Sequence, residues 1–375
     1  MARVYMAYGD YAKAKPLAEQ ALNLARTTDA SDEELCSCLI DLAYLYTYMN
    51  KFADAEQMVD LGLALQEKVY FESHPYVAYT LRIKSKIYQG QGKYRQARPL
   101  LDRAMSIMLD SHQSDDYVIA PFQVDIARLL VAQGNFTEAE TYYQRALNLI
   151  NKSYGPDHLY TAGVIGSLAE LYTQQQRYVE AESLINKTLA IQEKVYGPDH
   201  HLLADTWITK ASISRSKGNY SQAESLLQKA LFAIERKYGS SHPTSARIMS
   251  ELGHVYTLSG KYAQAEKTCT RAKELLENSL GQKNDVTAIA QNNLARLYVK
   301  RGKYSQAQQL CREALSTLED IFNHDHPSVA KVLETMAQLE SAVGNTQEMS
   351  RLMSRIEQIR LHSEVTYKPV AKVIR

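Results

Sequence analysis

An aromatic residue returns at a nearly constant interval along the chain: Tyr11, Phe52, Tyr94, Phe136, Tyr178, Tyr220, Tyr262 and Tyr304. One interval is 41 residues and the others are 42. Three residues after each comes an alanine: Ala14, Ala55, Ala97, Ala139, Ala181, Ala223, Ala265 and Ala307. A period of this length implies a tandem array, in which each supersecondary unit buries its apolar face against its neighbours. The 375 residues would otherwise allow two or three domains, but an uninterrupted period predicts one elongated unit. It also weakens most enzymatic readings.

The segment from His201 to Gly239 shows one unit in full. Its spacing predicts a first helix over Leu203–Ser216, a tight turn at Gly218 and Asn219, and a second helix over Tyr220–Lys237. Ala223, Leu227, Ala230 and Ile234 fall three or four apart and form one apolar stripe on the second helix. Alanine at these sites lets antiparallel helices approach closely, and the Tyr220 ring fills the space near their turn.

The connections between units are patterned too. YGPDH stands at Tyr154–His158 and again at Tyr196–His200, with related endings at His74-Pro75, Gly239–Pro243 and Asp325–Pro327. Glycine ends a helix by adopting positive φ, an Asp or His before proline caps the next helix, and Pro75, Pro243 and Pro327 suit a first turn. Histidines recurring once per unit stand roughly 10 Å or more apart in a stack of helices, too far to share a metal ion. They are expected to brace the connections. The third unit departs from this form, with DSHQSDDYVIAP in its connection. There Asp115 and Asp116 are candidate caps and Pro121 is expected near the start of the helix.

Apolar residues make up 45% and charged residues 23%, as in a folded water-soluble chain, and the net charge of +1 gives no general argument for nucleic acid or lipid as partner. Cys269 and Cys311 sit one period apart at small apolar positions, and the Cys36/Cys38 pair has no second pair to complete a metal site. No run approaches the ~20 apolar residues of a membrane span, and the first residues do not read as a signal peptide. A cytoplasmic location is expected. There is no Gly-Lys-Ser/Thr phosphate loop, Gly-x-Ser-x-Gly elbow or His-Glu-x-x-His pair, so neither enzyme activity nor a cofactor is expected.

The pattern resembles the tetratricopeptide repeat. That family's small residue on the first helix matches Ala43, Ser85, Ala127, Ala169, Ala211, Gly253, Ala295 and Ala337; its following aromatic matches Tyr46, Tyr88, Tyr172, Tyr256 and Tyr298, whereas Leu130, Ser214 and Glu340 depart. The second-helix alanines match Ala97 with Ala104, Ala139 with Ala146, and Ala265 with Ala272, while Gly62 and Thr188 replace the later one. The 42-residue length and the G-K-Y-x-x-A-E … Y-G-x-D-H-P grammar look like the kinesin-light-chain type of repeat. The resemblance implies an all-α, right-handed superhelix of antiparallel helix pairs with first helices on the concave side.

Residues 1–345 are read as about eight such repeats, 346–361 as a capping helix and 362–375 as a flexible tail. Few residues precede Gly9, so the first repeat is expected to be truncated, with an upstream domain or self-association covering its flank.

The facing implied by the resemblance puts Arg82, Lys86, Arg128, Arg215, Arg247, Asn292, Asn293, Arg296 and Lys300 in the groove, along with Glu170, Glu251 and His254. Guanidinium forks and amides suit the carboxylates and backbone of an extended peptide. The expected function is therefore a non-enzymatic scaffold that holds an extended acidic peptide. The alternative is a regulatory or self-assembling module that contacts a neighbouring domain or another copy through its ends.

Overall fold

The computed structural model describes residues 1–7, 11–28, 30–49, 51–91, 93–111, 116–322 and 324–365. Gly9, Asp115 and the chain from 366 onward lie outside them, as does the side chain of Asp116, so the expectations placed there concern residues beyond the description. Among the described residues every regular element is a helix. The chain divides into two compact units, Met1–Leu129 and Leu130–Arg375, with the boundary inside one helix.

The first unit contains α1 (Ala2–Ala7), α2 (Tyr11–Thr27), α3 (Asp32–Tyr48), α4 (Phe52–Tyr70), α5 (Pro75–Gly90), α6 (Tyr94–Ser111) and most of α7 (Asp116–Ala132). The second continues with α8 (Phe136–Tyr154), α9 (Leu159–Gln174), α10 (Tyr178–Tyr196), α11 (Ala204–Ser216), α12 (Tyr220–Tyr238) and α13 (Pro243–Leu258). It ends with α14 (Tyr262–Leu280), α15 (Asp285–Lys300), α16 (Tyr304–Ile321), α17 (Pro327–Ala342) and α18 (Thr346–Val365). The helices expected over Leu203–Ser216 and Tyr220–Lys237 are α11, entered through a 3₁₀ turn at His201–Leu203, and α12, one residue longer. Pro121 lies inside α7, in its second turn, and Pro16 and Pro99 are likewise inside α2 and α6.

Each pair is held where its helices come closest. Ala97, Ala104, Ala139, Ala146, Ala223, Ala230, Ala265 and Ala272 are fully buried on second helices, and Ala43, Ala127, Ala169 and Ala295 on first helices. At Gly253 even alanine would be too large, because a Cβ there would run into the Cys269 sulfur of α14. The core is thus set by side-chain size at facing positions.

The turn inside each pair repeats one hydrogen bond. The backbone N–H of Lys93, Arg177, Lys261 and Lys303 returns to the carbonyl of Tyr88, Tyr172, Tyr256 and Tyr298, closing the first helix. The position before these residues is glycine of positive φ in most turns; Gln176 fills it between α9 and α10, with φ 63°. Successive pairs are tied by a ladder of ion pairs from that turn to the preceding second helix: Arg177–Glu140 (3.0 Å), Lys217–Glu182 (2.6 Å), Lys261–Glu224 (2.6 Å) and Lys303–Glu266 (2.6 Å).

The connections between pairs are braced by histidine, as the recurring endings suggested. In His74, His158, His200, His242 and His326 the ring Nδ1 accepts the backbone N–H two residues on, at 3.1–3.3 Å, and caps the next helix. Each ring also stacks on an aromatic residue at the end of the previous helix, Tyr70, Tyr154, Tyr196 and Tyr238, or just after it, Phe322. The lone pair on Nδ1 forms the cap, so the cap requires that nitrogen to be unprotonated. Before α15 the side chain of Asn284 does the same work, accepting from Val286 at 2.9 Å.

Within the second unit, first helices pack directly on one another, α9 on α11, α13 on α15 and α15 on α17, while second helices flank them outside. Helices spaced closely on one side curve the stack toward that side, so the first helices form its inner face. The curvature brings its two ends together: His326 Nε2 meets the Ala132 carbonyl, and Pro327 lies against Gly134.

Candidate functional site on the inner face

In the second unit, α11, α13, α15 and α17 each send polar side chains to the inner face, and these converge on His254. Arg215 Nη1 lies against its Nδ1, and Arg296 Nη1 lies 3.2 Å from its Nε2. Arg215 is held by Ser212 (3.3 Å) and Glu251 (3.5 Å). Arg296 is held by the Thr335 hydroxyl (3.0 Å), the Lys331 carbonyl (3.3 Å) and Glu334 (3.9 Å). These guanidiniums are fixed by several partners at once, as a preorganised donor set requires.

Burial, reinforced by Arg215, Arg296 and Lys331, holds the His254 ring well below the ordinary imidazole range, so it is neutral at pH 7. The same crowding lowers Arg296 and Lys331, against the opposing pull of nearby carboxylates. The Lys331 side chain still reaches solvent, but it does so inside the curve, where protein surrounds it on several sides. Glu251 and Glu334 are the carboxylates that face these three cations.

The other expected groove residues fall in different surroundings. Arg247 pairs with Asp205 at 2.6 Å; burial opposes its charge, but Asp205 together with Glu170 and Glu251 outweighs burial and the guanidinium pKa is raised. Asn293 donates to the Ser250 hydroxyl (3.0 Å) and carbonyl (3.4 Å), bracing α13 against α15. Asn292 donates to the Lys331 carbonyl at 3.3 Å, while its buried Oδ1 has no hydrogen-bond partner among the described residues. Lys300 is exposed at the last residue of α15.

In the first unit, Arg82 pairs with the buried Asp125 of α7, and Lys86 approaches the same carboxylate at 3.9 Å. Arg128, one turn along α7, also faces it at 3.9 Å. Arg82 further lies over the Phe122 ring, 5.5 Å from its centre. Burial lowers the Lys86 amine despite Asp125. Here the cations are gathered around a carboxylate that the chain itself supplies.

Sequence reasoning named Arg215, His254 and Arg296 but missed Lys331, Glu334, Thr335 and Asp125. The period carried a signal for some of these. Lys331 is two periods beyond Arg247, Glu334 one beyond Asn292 and Thr335 one beyond Asn293. Extending the inner-face register into α17 would have found them. Among the described residues, no group of three or more His, Cys, Asp or Glu is arranged to hold a metal ion, and no helix is long and apolar enough to cross a membrane.

Tetratricopeptide-repeat family models match residues 35–76 and, in overlapping stretches, 119–348. No curated protein matches the chain. Among solved structures, a Rap protein complexed with Competence and Sporulation Factor is similar over 97% of this chain and 96% of its own, with a TM-score of 0.71 and 13% identity. The apo quorum sensor NprR from B. thuringiensis is similar over 84% and 85%, with a TM-score of 0.58 and 13% identity. A STAND signal-transduction ATPase with a tetratricopeptide-repeat sensor, from Pyrococcus horikoshii, is similar over 91% of this chain and 48% of its own, with a TM-score of 0.53 and 16% identity. At these identities the likeness is one of fold.

Proposed function

Since the chain belongs to the tetratricopeptide-repeat family, we propose that it is a non-enzymatic scaffold that binds an extended acidic peptide along its inner face. The observation that carries this reading is the convergence of Arg215, Arg296 and Lys331 around an uncharged, buried His254. Fixed guanidiniums in a crowded groove favour carboxylates, because both charge and fork geometry match and little side-chain freedom remains to be lost. Arg215, Arg296 and Lys331 are the anchors of this reading. Arg247, Asn292, Asn293 and Lys300 line the same stretch, and Arg82, Lys86 and Arg128 serve the inner face of the first unit. The Rap protein of similar fold, complexed with Competence and Sporulation Factor, adds support from a neighbour.

The repeats fit the kinesin-light-chain type in length and grammar, α18 serves as the C-terminal cap of the array, and a cytoplasmic location suits the whole. Selection from a random peptide library tests the binding reading. The wild-type chain should enrich acidic peptides that a folded Arg215→Gln/Arg296→Gln variant does not hold. Enrichment of the same peptides by both, or of none by either, contradicts it.

One observation favours a second reading, a self-assembling or regulatory module. In the first unit Leu24 and Leu61 are exposed, and Leu35, Leu39, Leu61, Ala64 and Leu65 line a shallow apolar cleft between Arg26 and Lys68. Sedimentation of the full chain tests it: self-association lost in Leu61→Glu supports assembly through this end, and a monomer at all concentrations excludes it.

A further inference from the structure

Two fixed parts of the repeat depart from their pattern at one place in the second unit. The turn glycines Gly218, Gly260, Gly302 and Gly344 have open space where a Cβ would stand, but at Gly134 a Cβ would meet the Pro327 ring at 2.7 Å. The capping histidines His158, His200 and His242 are half-buried, but His326 is only 6% exposed. Its Nδ1 caps α17 as the others cap their helices, and its Nε2–H donates to the carbonyl of Ala132, the last residue of α7. A carbonyl in the last turn of a helix lacks an intrahelical partner, so one ring starts α17 and finishes α7. Both departures have the same cause: the start of α17 reaches the turn between α7 and α8.

This contact closes the second unit on itself. α18 also lies against α8. Beside the contact is a cavity of about 510 Å³ lined from both ends of the curve, by Phe136, Gln175 and Arg177 on one side and Pro327, Lys331 and Arg360 on the other. Lys331 belongs to the cavity and also to the cations around His254. The seam between the two ends therefore lies next to the anchors of the groove. First helices are inside and second helices outside, so the wall around those anchors is continuous where the seam is shut.

We infer that the second unit is a closed collar whose partner is a peptide with a free end, and that the seam of Ala132 and Gly134 against His326 and Pro327 is a gate for any segment without one. This rests on the groove reading above and adds to it the kind of partner. A free end enters along the axis of the curve with the seam intact. A segment held between two folded domains has to pass sideways, through the seam. Opening it breaks one buried hydrogen bond and uncovers the His326 and Pro327 rings, which holds the open form to about a tenth of the molecules or fewer. Capture through a minor form is slowed in proportion to its population. The seam recloses around either kind of ligand, so the difference lies in rate more than in affinity.

Hexaglutamate is a suitable probe in three forms: free, fused to one folded domain, and set midway along a Gly/Ser linker of about 40 residues between two folded domains. In stopped-flow mixing with the wild-type chain, the first two should associate within about twofold of each other and the third at least about tenfold more slowly. This comparison needs no variant. Gly134→Gln then separates the seam from the fold. Gln176 fills the same turn position between α9 and α10 with φ 63°, so glutamine suits the turn, but at position 134 its side chain displaces Pro327. The variant should capture the doubly flanked probe within about threefold of the singly fused one. Gly218→Gln, where a Cβ meets nothing within 4 Å, should stay as slow as wild type. Equal wild-type rates for all three probes would overturn the collar and leave the groove reading standing, as would slow capture that persists in folded Gly134→Gln. Absence of binding by free hexaglutamate would overturn the groove reading, and this inference with it.

Discussion

The two units gather cations on their first helices by the same repeat logic and then treat them in opposite ways. In the first unit, Arg82 and Lys86 face a buried carboxylate, Asp125. In the second, Arg215 and Arg296 face an uncharged ring, His254. One cluster centres on a carboxylate; the other centres on a neutral ring, with its carboxylates, Glu251 and Glu334, 3.5 and 3.9 Å from the guanidiniums. Desolvated cations are stable only when something answers their charge. On the proposed reading, the Asp125 cluster serves stability and the His254 cluster serves ligand binding.

That contrast sets the order of expected effects. Replacing Asp125 with Asn strands Arg82 and Lys86 and should cost the first unit about 3 kcal/mol. Native-state hydrogen exchange should register this as lost protection in α5. His254→Asn leaves no charge uncompensated and should change protection in α13 and α15 by under about 1 kcal/mol. Comparable losses at the two sites would erase the distinction.

Acid should weaken the second unit through its caps. Burial, against the opposing effect of its bond to the Ala132 carbonyl, lowers His326 to about 4. The unfolded chain therefore binds the proton first as pH falls. The contribution of this cap is complete above about pH 6.5 and is lost progressively toward about pH 4, a change on the order of 3 kcal/mol. His326→Asn keeps a capping oxygen, and should flatten this part of the pH–stability curve measured by urea unfolding.

Backbone and packing distinguish the units at smaller scale. Gly253→Ala in the second unit should cost about 2 kcal/mol, because the added methyl meets the Cys269 sulfur and α13 must move from α14. In the first unit, α4 ends on Phe71 with φ 79° and ψ 155°, where Gly155, Gly197, Gly239 and Gly281 end the corresponding helices of the second. That region is open essentially to glycine alone. Phe71→Gly should stabilise the first unit by about 1 kcal/mol in thermal unfolding, and no gain would mean that the exposed ring contributes more through His74 than its backbone strain costs.

The fold was legible because each repeat states its own grammar. The buried alanines, the glycine turn and the histidine before proline each have a local cause, and eight copies make the pattern plain. The site was legible only as a face. Period and resemblance put Arg215, His254 and Arg296 on the inner side, but Arg82 stood there equally, and nothing local to Arg82 names Asp125 as its partner. Pairings between successive first helices join residues about one period apart, and small changes of rotamer decide between them. Asn293 shows the same limit: an amide suited to a peptide backbone is engaged by Ser250 instead.

The central claim is that ligand binding resides in the cluster whose guanidiniums close on a neutral ring and not on a carboxylate. The affinity of hexaglutamate for the wild-type chain, Arg296→Gln and Arg82→Gln, measured by titration calorimetry, tests it most directly. The account predicts a loss of at least about tenfold from Arg296→Gln, the scale of one charge-assisted hydrogen bond. Arg82→Gln should cost less than about twofold, since that cation is already answered by Asp125. Equal losses, or a loss confined to Arg82→Gln, would contradict it.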